Sequence, residues 1–574
     1  MSTLGESQLG CSGSIYVNMK GRVSMKKVLA ILLVLVLSIA LVACGSGEKT
    51  PQDDKNGGGT NVTATPGDSG NTGGTEGEEL SYPIVTDGSI TLTWFYPVMS
   101  PMWPSKYENL SENYAWTEIQ KNTGINIVFD SPTMEMSDER FNLMVNSGQY
   151  TDLATVMDYT GGGDKAIEDG VFLRLNELMD RYAPDYMAIL NSDPNNLRDA
   201  TTDEGNRWRF CQVTEGLQLA FVGLMIRQDW LDDLGIKDLP RTYDEMYDVL
   251  VAFRDSKTEG PFHLTNTGIT TYNSVSGGLG VASYDRNYFY VQKDGKAICS
   301  VATDNFKDYL KLMRKWYQEK LIDQEFYAHH MNGQIDFDFM FNDKIGLIEA
   351  QQIGSYYADM GMAPEGAYYE PTWGLVKNKG DKPRIGLNSS IVSGYGTAIF
   401  STCEYPEIAA RFLNYLYTDQ GFIDANYGKE GVTFEYVDGK PVLTEFITNP
   451  DGMSVWDAYC TYLVSICSMR YAWARNDSEE TLENRRKTDE RWSYNGQFPD
   501  NMPINLTFTA EEGTERAKIL SDIKTYVDTM TVNFIIGNND IDKDWDTYIE
   551  TLKSMGLDRL TEIHQASLDR YYNR

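Results

Sequence analysis

The sequence predicts an α/β fold built as more than one domain, and three observations carry that prediction. Between Tyr82 and Arg574, β-branched runs of period two alternate with amphipathic runs of period 3.6, the pattern of βαβ units. That stretch is too long for a single hydrophobic core, so two or three domains are expected. From about Glu511 onward the pattern is almost wholly helical.

The N-terminal elements come first. Met25, Lys26 and Lys27 form a basic start, and residues 28–43, VLAILLVLVLSIALVA, are 16 residues without a charge. A membrane-spanning helix wants about 20 apolar residues, so the run fits a secretory signal better than a span. Leu41-Val42-Ala43-Cys44 resembles the lipobox of bacterial lipoproteins, with Val42 a less usual choice at its position. The resemblance implies that Cys44 takes a diacylglyceryl group, that the signal peptide 25–43 is removed, and that acyl chains such as palmitate anchor the protein. One acyl chain holds a protein only marginally at a bilayer, whereas two or more hold it stably. Residues 1–24 do not fit the signal pattern. They are expected to be a non-translated or mis-assigned extension, with translation starting at Met25. Residues 44–81 form the lipidated cysteine and a disordered tether of glycine, serine, threonine, asparagine and acids, with no apolar period to bury. A tether of about 36 such residues reaches roughly 30–35 Å.

Charge narrows the partners. The chain holds 50 basic and 83 acidic residues, a formal charge of −33. Removing residues 1–43 takes away Lys20, Arg22, Lys26, Lys27 and Glu6, leaving 46 against 82, a charge of −36. Such a field repels nucleic acid and anionic lipid head groups. The cysteine spacings show no metal pattern. Cys460 and Cys467 would lie about 10 Å apart along a helix, beyond disulfide reach, and read as free buried thiols.

The folded part shows its elements clearly. SITLTWFYPV alternates as a strand ending near Trp94 to Tyr96, and TDLATVMDY reads as a strand ending near Asp158. Between them NYAWTEIQKNTGI is an amphipathic helix closed by Gly124. This β-α-β order implies a parallel sheet with covered faces. LQLAFVGLMIRQDWLDDLGI contains a buried strand. After it, Thr242 and Glu245 make a capping box for a helix with Met246, Val249, Leu250 and Phe253 on one face. TDNFKDYLKLMRKWYQEKLID is another helix, with Phe306, Leu310, Met313 and Tyr317 inward. YPEIAARFLNYLYTDQG places Pro406 at a helix start and Gly421 just past its end.

Several of these phrases occur together elsewhere. AWTEIQKNTGINI, FNLMVNSGQYTDL, IRQDWLDDLGIKDLPRTYDEMYDVLVAF, KWYQEKLIDQEF, YGKEGVTFEYVDGKP and WDTYIETLKSMGLDRLTEIHQASLDRY stand in order behind the lipobox. The chain resembles the family 1 extracellular solute-binding proteins of ABC importers, especially the large Gram-positive lipoproteins. It departs from the family's usual ASGDLPD pattern at Asn146 and Thr151. The resemblance implies a two-lobed periplasmic-binding-protein-like clamp with discontinuous lobes and a mostly helical C-terminal end. Lobe one would comprise 82–219 and 386–425, and lobe two 220–385 and 426–574. Ligand would bind in the interlobe cleft, the lobes would close by hinge motion, and the closed form would dock on ABC permease subunits. Family members of this size mostly carry oligosaccharides or related polyols. A monomer without cofactor, lipid-anchored on the outer face of the cell membrane, is implied.

A sugar presents flat apolar faces and an edge of hydroxyls, so its site needs aromatic platforms and planar polar partners. In open α/β sheets such sites lie at the carboxyl ends of strands. That rule selects Trp94 and Tyr96 after the first strand, and Asp158 and Tyr159 before Gly161-Gly162-Gly163. It also selects Arg227 and the pair Gln351 and Gln352 at later strand ends, Trp373 near an expected lobe crossing, and Arg470 and Trp473 in a late aromatic segment. Each aromatic has core packing as its alternative, Arg227 a nearby carboxylate, and the glycines a simple turn. Trp230 and Trp316 sit within helical phrases and read as core.

Chemistry is not expected. The four histidines, His263, His329, His330 and His564, have no metal-ligand spacing. Asp540, Asp542 and Asp544 lack the glycine and glutamate of a calcium loop and read as helix N-terminal acids. No G-x-S-x-G nucleophile motif occurs. The expected function is a carbohydrate receptor that performs no catalysis. A surface-anchored glycan-degrading enzyme and a receptor presenting its ligand to a membrane sensor are the alternatives.

Overall fold

The computed structural model describes residues 80–574 except 101, 157–158, 216–221, 284–286, 329–342, 352–365, 387–389, 466, 468, 473–478 and 495–497. The side chains of 215, 351, 393–394, 479–482 and 484 are also outside the description. The signal peptide, Cys11, Cys44 and the tether therefore lie outside the described residues, and residues 78–574 form one compact unit.

Among the described residues the strands are β1 (Thr91–Phe95), β2 (Asn126–Asp130), β3 (Leu153–Val156), β4 (Phe210–Glu215), β5 (Val222–Arg227), β6 (Phe262–His263), β7 (Tyr290–Lys293), β8 (Lys296–Cys299), β9 (Leu347–Gln351), β10 (Tyr369–Pro371), β11 (Val392–Ile399), β12 (Phe434–Val437), β13 (Lys440–Leu443) and β14 (Arg470–Ala472). Lobe one is built on a six-stranded sheet in the order β14-β4-β11-β3-β1-β2. Its β1, β2 and β3 run parallel, as the β-α-β pattern predicts, while β11 runs antiparallel between β3 and β4. The helix Tyr114–Thr123 joins β1 to β2. The Asn113 side chain accepts the Trp116 N–H at 2.8 Å at one end, and Gly124, with φ +74°, closes the other. Its Trp116 and Ile119 pack with Trp94 and Phe129 in the core.

Lobe two carries a four-stranded sheet in the order β10-β5-β9-β6. Here β5 is antiparallel to both neighbours, so the expectation of parallel pairing holds for most of the first lobe and not for this strand. All six residues of β5 are buried, because the sheet is covered on both faces. The helix Tyr243–Ser256 starts on the predicted Thr242–Glu245 capping box and buries Met246, Val249, Leu250 and Phe253. The helices Asp304–Gln318, Ala510–Ile536, Ile541–Ser554 and Leu557–Tyr572 share that core. Asp540 caps the helix Ile541–Ser554 by accepting the Asp542 and Lys543 N–H groups, and Asp542 pairs with Lys307 and Lys311. These acids thus serve helix ends and ion pairs.

Two expectations are corrected. The second stretch of lobe one does not end at 425. β14 is hydrogen-bonded to β4, and Tyr427, Phe434, Leu443 and Tyr462 form a core with Tyr107 and Tyr114 of the first stretch, so the segment to Ala472 belongs with lobe one. Gly421 does not follow a helix end. The helix Pro406–Tyr415 stops, Thr418 caps a second helix Asp419–Tyr427, and Gly421 lies inside that helix. A Cβ at Gly421 would strike the Tyr415 carbonyl, so the glycine permits the tight turn between the two helices. The described cysteines, Cys211, Cys299, Cys403, Cys460 and Cys467, are all buried.

Chain crossings between the lobes fall between β4 and β5, before β11, and after β14. After the last of them the helix Glu479–Trp492 fastens the chain to lobe two. Trp492 Nε1 donates to the Leu224 carbonyl at 3.1 Å and to the Thr372 carbonyl at 3.0 Å, and its ring lies flat on Gly223. A Cβ at residue 223 would overlap the indole. Gly223→Ala should therefore destabilise the protein by about 1–3 kcal/mol through overpacking. Urea unfolding measures this, and an unchanged midpoint would show that the indole is not held there.

Candidate ligand-binding cleft

The cleft between the lobes begins at the carboxyl end of β3. Tyr159 follows that strand, and the chain then turns through Gly161 (φ +91°) and Gly162 (φ +79°) into the helix Gly162–Glu168. Both φ values lie where a side chain is strained. Gly163 is needed for a different reason: the Trp208 indole lies against its Cα, and a Cβ there would overlap the ring. The three glycines are thus more than a turn. They bring bare backbone to the cleft floor and seat a tryptophan beside it.

Lobe two supplies the facing wall from the segment 504–508, the start of the helix Ala510–Ile536, and Tyr288. Three adjoining cavities share Gly162, Thr507 and Phe508, with volumes of about 660, 340 and 650 Å³. Tyr159, Trp208, Tyr288 and Phe508 offer aromatic surface to this space, with Asp138, Arg209 and Arg516 among the polar groups. Arg209 lies over Trp208, 4.7 Å from the ring centroid, and Arg516 over Phe508 at 4.5 Å.

One carboxylate ties the lobes together beside the cleft. Asp203 of lobe one accepts from Arg570 Nε at 2.8 Å, from Arg574 Nε at 2.8 Å and from Thr507 Oγ1 at 2.6 Å, all of lobe two. Tyr571 adds a bond from its hydroxyl to Asp199 at 2.8 Å. These charge-assisted bonds are short and partly shielded from water, which strengthens them.

The residues selected from the sequence separate into groups. Tyr159 lines the cleft, with its hydroxyl donating to Asp169 at 3.0 Å. Trp94 and Tyr96 are corrected to core positions. Trp94 is 0% exposed, donates to Thr155 Oγ1 at 3.0 Å and meets Tyr96 and Trp116 edge-on, so neither ring offers a face to a ligand. Arg227 is 3% exposed and serves its carboxylate alternative. It makes a two-bond pair with Asp229 at 2.7 and 2.6 Å, an ion pair with Asp343, and lies over Trp230. Trp373 belongs to lobe two and not to a crossing, and it stacks under Arg241 at 4.1 Å beside Tyr494. Arg470 sits on edge strand β14 and pairs with exposed Asp419 at 2.7 Å. Trp230 and Trp316 are core, as expected. Asp158, Gln352 and Trp473 lie outside the described residues, as does the Gln351 side chain. The cleft residues that sequence reasoning missed are Trp208, Arg209, Tyr288, Phe508 and Arg516. The WRF triplet at 208–210 carried a signal, an aromatic beside a cation at the mouth of a strand.

His564 explains how Arg516 is held. Arg516 Nε donates to His564 Nε2 at 3.2 Å, so that nitrogen carries no proton and the neutral ring is protonated at Nδ1. The imidazole is fully buried and stacks on Tyr290 at 3.9 Å. Burial, and then the Arg516 charge, pull its pKa from 6.5 down to about 3. The unfolded chain therefore binds a proton that the folded protein refuses between those values. Stability from this site is complete above pH 6.5 and is lost as pH falls toward 3. Between pH 6.5 and pH 4, wild type should lose roughly 3 kcal/mol more than His564→Gln. Urea midpoints measured across that range check this, and parallel profiles for the two proteins would contradict it.

Known proteins resemble this chain in sequence and in fold. A fructooligosaccharide ABC transporter substrate-binding protein, FusA of Streptococcus pneumoniae, is 22% identical over 532 residues, covering 86% of this chain and 92% of that protein. The polygalacturonan/rhamnogalacturonan-binding protein YtcQ of Bacillus subtilis is 21% identical over 491 residues, covering 83% and 91%. Among solved structures, an extracellular solute-binding protein from Bifidobacterium longum subsp. infantis superposes with a TM-score of 0.69 at 18% identity, over 85% of this chain and 99% of that one. These relatives are binding proteins, and the neighbours share the two-lobed α/β fold. The bacterial extracellular solute-binding protein family matches residues 107–421, more than half of the sequence, and the chain belongs to that family.

Proposed function

We propose that the protein is a lipid-anchored receptor that binds an oligosaccharide in the interlobe cleft and hands it to an ABC permease. The observation that carries this reading is the make-up of the cleft. Rings from both lobes, Tyr159 and Trp208 against Tyr288 and Phe508, surround a space with a bare-backbone floor and a few fixed polar groups. That combination suits sugar rings, whose apolar faces stack and whose edges need planar hydrogen-bonding partners. Similarity to relatives whose names describe fructooligosaccharide transport and polygalacturonan/rhamnogalacturonan binding supports the class. Cys44 carries the anchor in this reading, and ligand release to the permease follows reopening of the lobes.

Thermal melting against a panel of oligosaccharides and polyols tests the proposal. A ligand at 100 times its dissociation constant should stabilise the protein by about 2.7 kcal/mol, and the glycan should be recovered intact. Turnover of the glycan would favour a degrading enzyme instead, and a panel without any shift would contradict the carbohydrate class. For the anchor, Cys44→Ser should move the protein from the membrane fraction to the medium, and retention at the membrane would overturn the lipidation.

A further inference from the structure

A positive φ strains any side chain, and a bulky one most. Among the described residues, three aromatic ones take it: Tyr288 (φ +40°), Phe289 (φ +57°) and Tyr494 (φ +47°). Asp294 and Asp438 share the property for an ordinary reason, since each precedes a glycine in the tight turn of a β-hairpin, β7-β8 and β12-β13. Tyr494 is fixed by its hydroxyl, which donates to the Gly374 carbonyl at 2.8 Å. Phe289 is fixed by its ring, which is 0% exposed in the core of lobe two. Tyr288 has neither anchor. Its side chain is half-buried and lines the cavity of about 340 Å³. Among the described residues its hydroxyl makes no hydrogen bond.

The strained pair is clamped on both sides. The Phe289 N–H donates to the Ser283 carbonyl at 2.8 Å, and the Phe289 carbonyl accepts from the Ser300 N–H and from Ser300 Oγ, each at 2.7 Å. Ser283 is tied down in turn, its N–H donating to Asn273 Oδ1 at 2.8 Å. Before the bend, Asn287 Nδ2 donates to the Pro503 carbonyl at 2.9 Å, which joins it to the start of the cleft wall. Backbone strain persists only where the surroundings over-determine it, and it collects at ligand clamps. Phe289 takes the core position, and the ring of Tyr288 is left to the cleft. The Arg516 guanidinium lies 5.7 Å from the centroid of that ring and steadies it.

We propose that Tyr288 is the residue that orients the ligand, its ring serving as a stacking platform and its hydroxyl as a hydrogen-bond donor to the glycan, and that the strained bend is kept because it aims this side chain into the cleft. This inference rests on the carbohydrate-receptor reading and assigns the ligand's orientation to one residue of lobe two. The bend forms on folding, so the ring needs little further ordering when a ligand arrives, and the entropic cost of binding falls. Stability given up in the backbone at 288 returns as affinity in the cleft.

Urea unfolding of the full chain, beside calorimetric titration with a glycan panel that includes maltotriose, xylotriose, kestose and trigalacturonate, tests the inference through three substitutions. Tyr288→Gly should unfold at a higher urea midpoint than Tyr288→Ala, because glycine takes the positive φ without strain, whereas at an unstrained position the order is reversed. Both should weaken the best-bound glycan about tenfold or more through loss of stacking. Tyr288→Phe should keep the wild-type midpoint and weaken that glycan roughly threefold to tenfold, the scale of one hydrogen bond. A tyrosine with a structural role alone would leave affinity unchanged in Tyr288→Phe. A glycan bound equally by wild type and Tyr288→Ala would overturn the inference and leave the receptor reading intact. Tyr288→Gly no more stable than Tyr288→Ala would overturn it as well, and that result needs no ligand. Failure of the whole panel to bind the wild type would overturn both readings.

Discussion

Lobe one cannot be completed by one stretch of chain, and the rest of the architecture follows from that constraint. β11 must enter antiparallel between β3 and β4, and β14 must add beyond β4. The chain therefore leaves for lobe two after β4, returns for β11, and leaves again after β14. β3 and β4 are parallel because each is antiparallel to β11, so the first and last departures share the carboxyl edge of the sheet, where β11 also starts. That edge adjoins the end of β3, from which Tyr159 and the glycine floor project. Covalent crossings and a concave site thus lie on the same side of one sheet, as a hinged clamp requires.

The walls of the cleft are shaped by close approach more than by bulk. Gly163 yields its Cβ volume to Trp208, and the left-handed residues Gly161 and Gly162 turn the chain beneath it. Opposite, Phe508 is flanked by Arg516 and by His564 at 5.4 Å edge-on. Lobe two sets Arg516 against the buried imidazole of His564 and Arg570 against Glu512, while Asp203 binds three of its donors from across the gap. The closed arrangement is held by hydrogen bonds and ion pairs at the rim, which exchange with water at modest net cost. The hydrophobic cores of the two lobes remain separate. Such an interface can open without disturbing either core.

Much of the fold was legible where local chemistry decides it. The Thr242–Glu245 capping box, the Gly124 stop and the inward faces of the helices at 243 and 304 depend on neighbours within one or two turns, so spacing alone reveals them. The assignment of β14 to lobe one was hidden, because a three-residue strand takes its identity from a partner more than two hundred residues away. The break before Gly421 was hidden too, since two helices of similar composition abut there and only the Tyr415 carbonyl explains the glycine. For the cleft, the rule of strand carboxyl ends found Tyr159 but also gathered Trp94 and Tyr96. Side chains at a strand end alternate between core and cleft, and sequence does not say which face is which. Arg516 and Phe508 escaped because they lie at a helix start far along the chain and meet β3 only through the fold.

A ligand gripped by both lobes at once would touch the floor at 159–163 and the wall at 504–517 together. Hydrogen–deuterium exchange of the protein with and without a saturating glycan measures this directly. Backbone amides in both segments should slow together, along with those around Asp203, while the core strands stay unchanged. Protection of one segment alone, or of a surface away from β3 and the helix Ala510–Ile536, would contradict it.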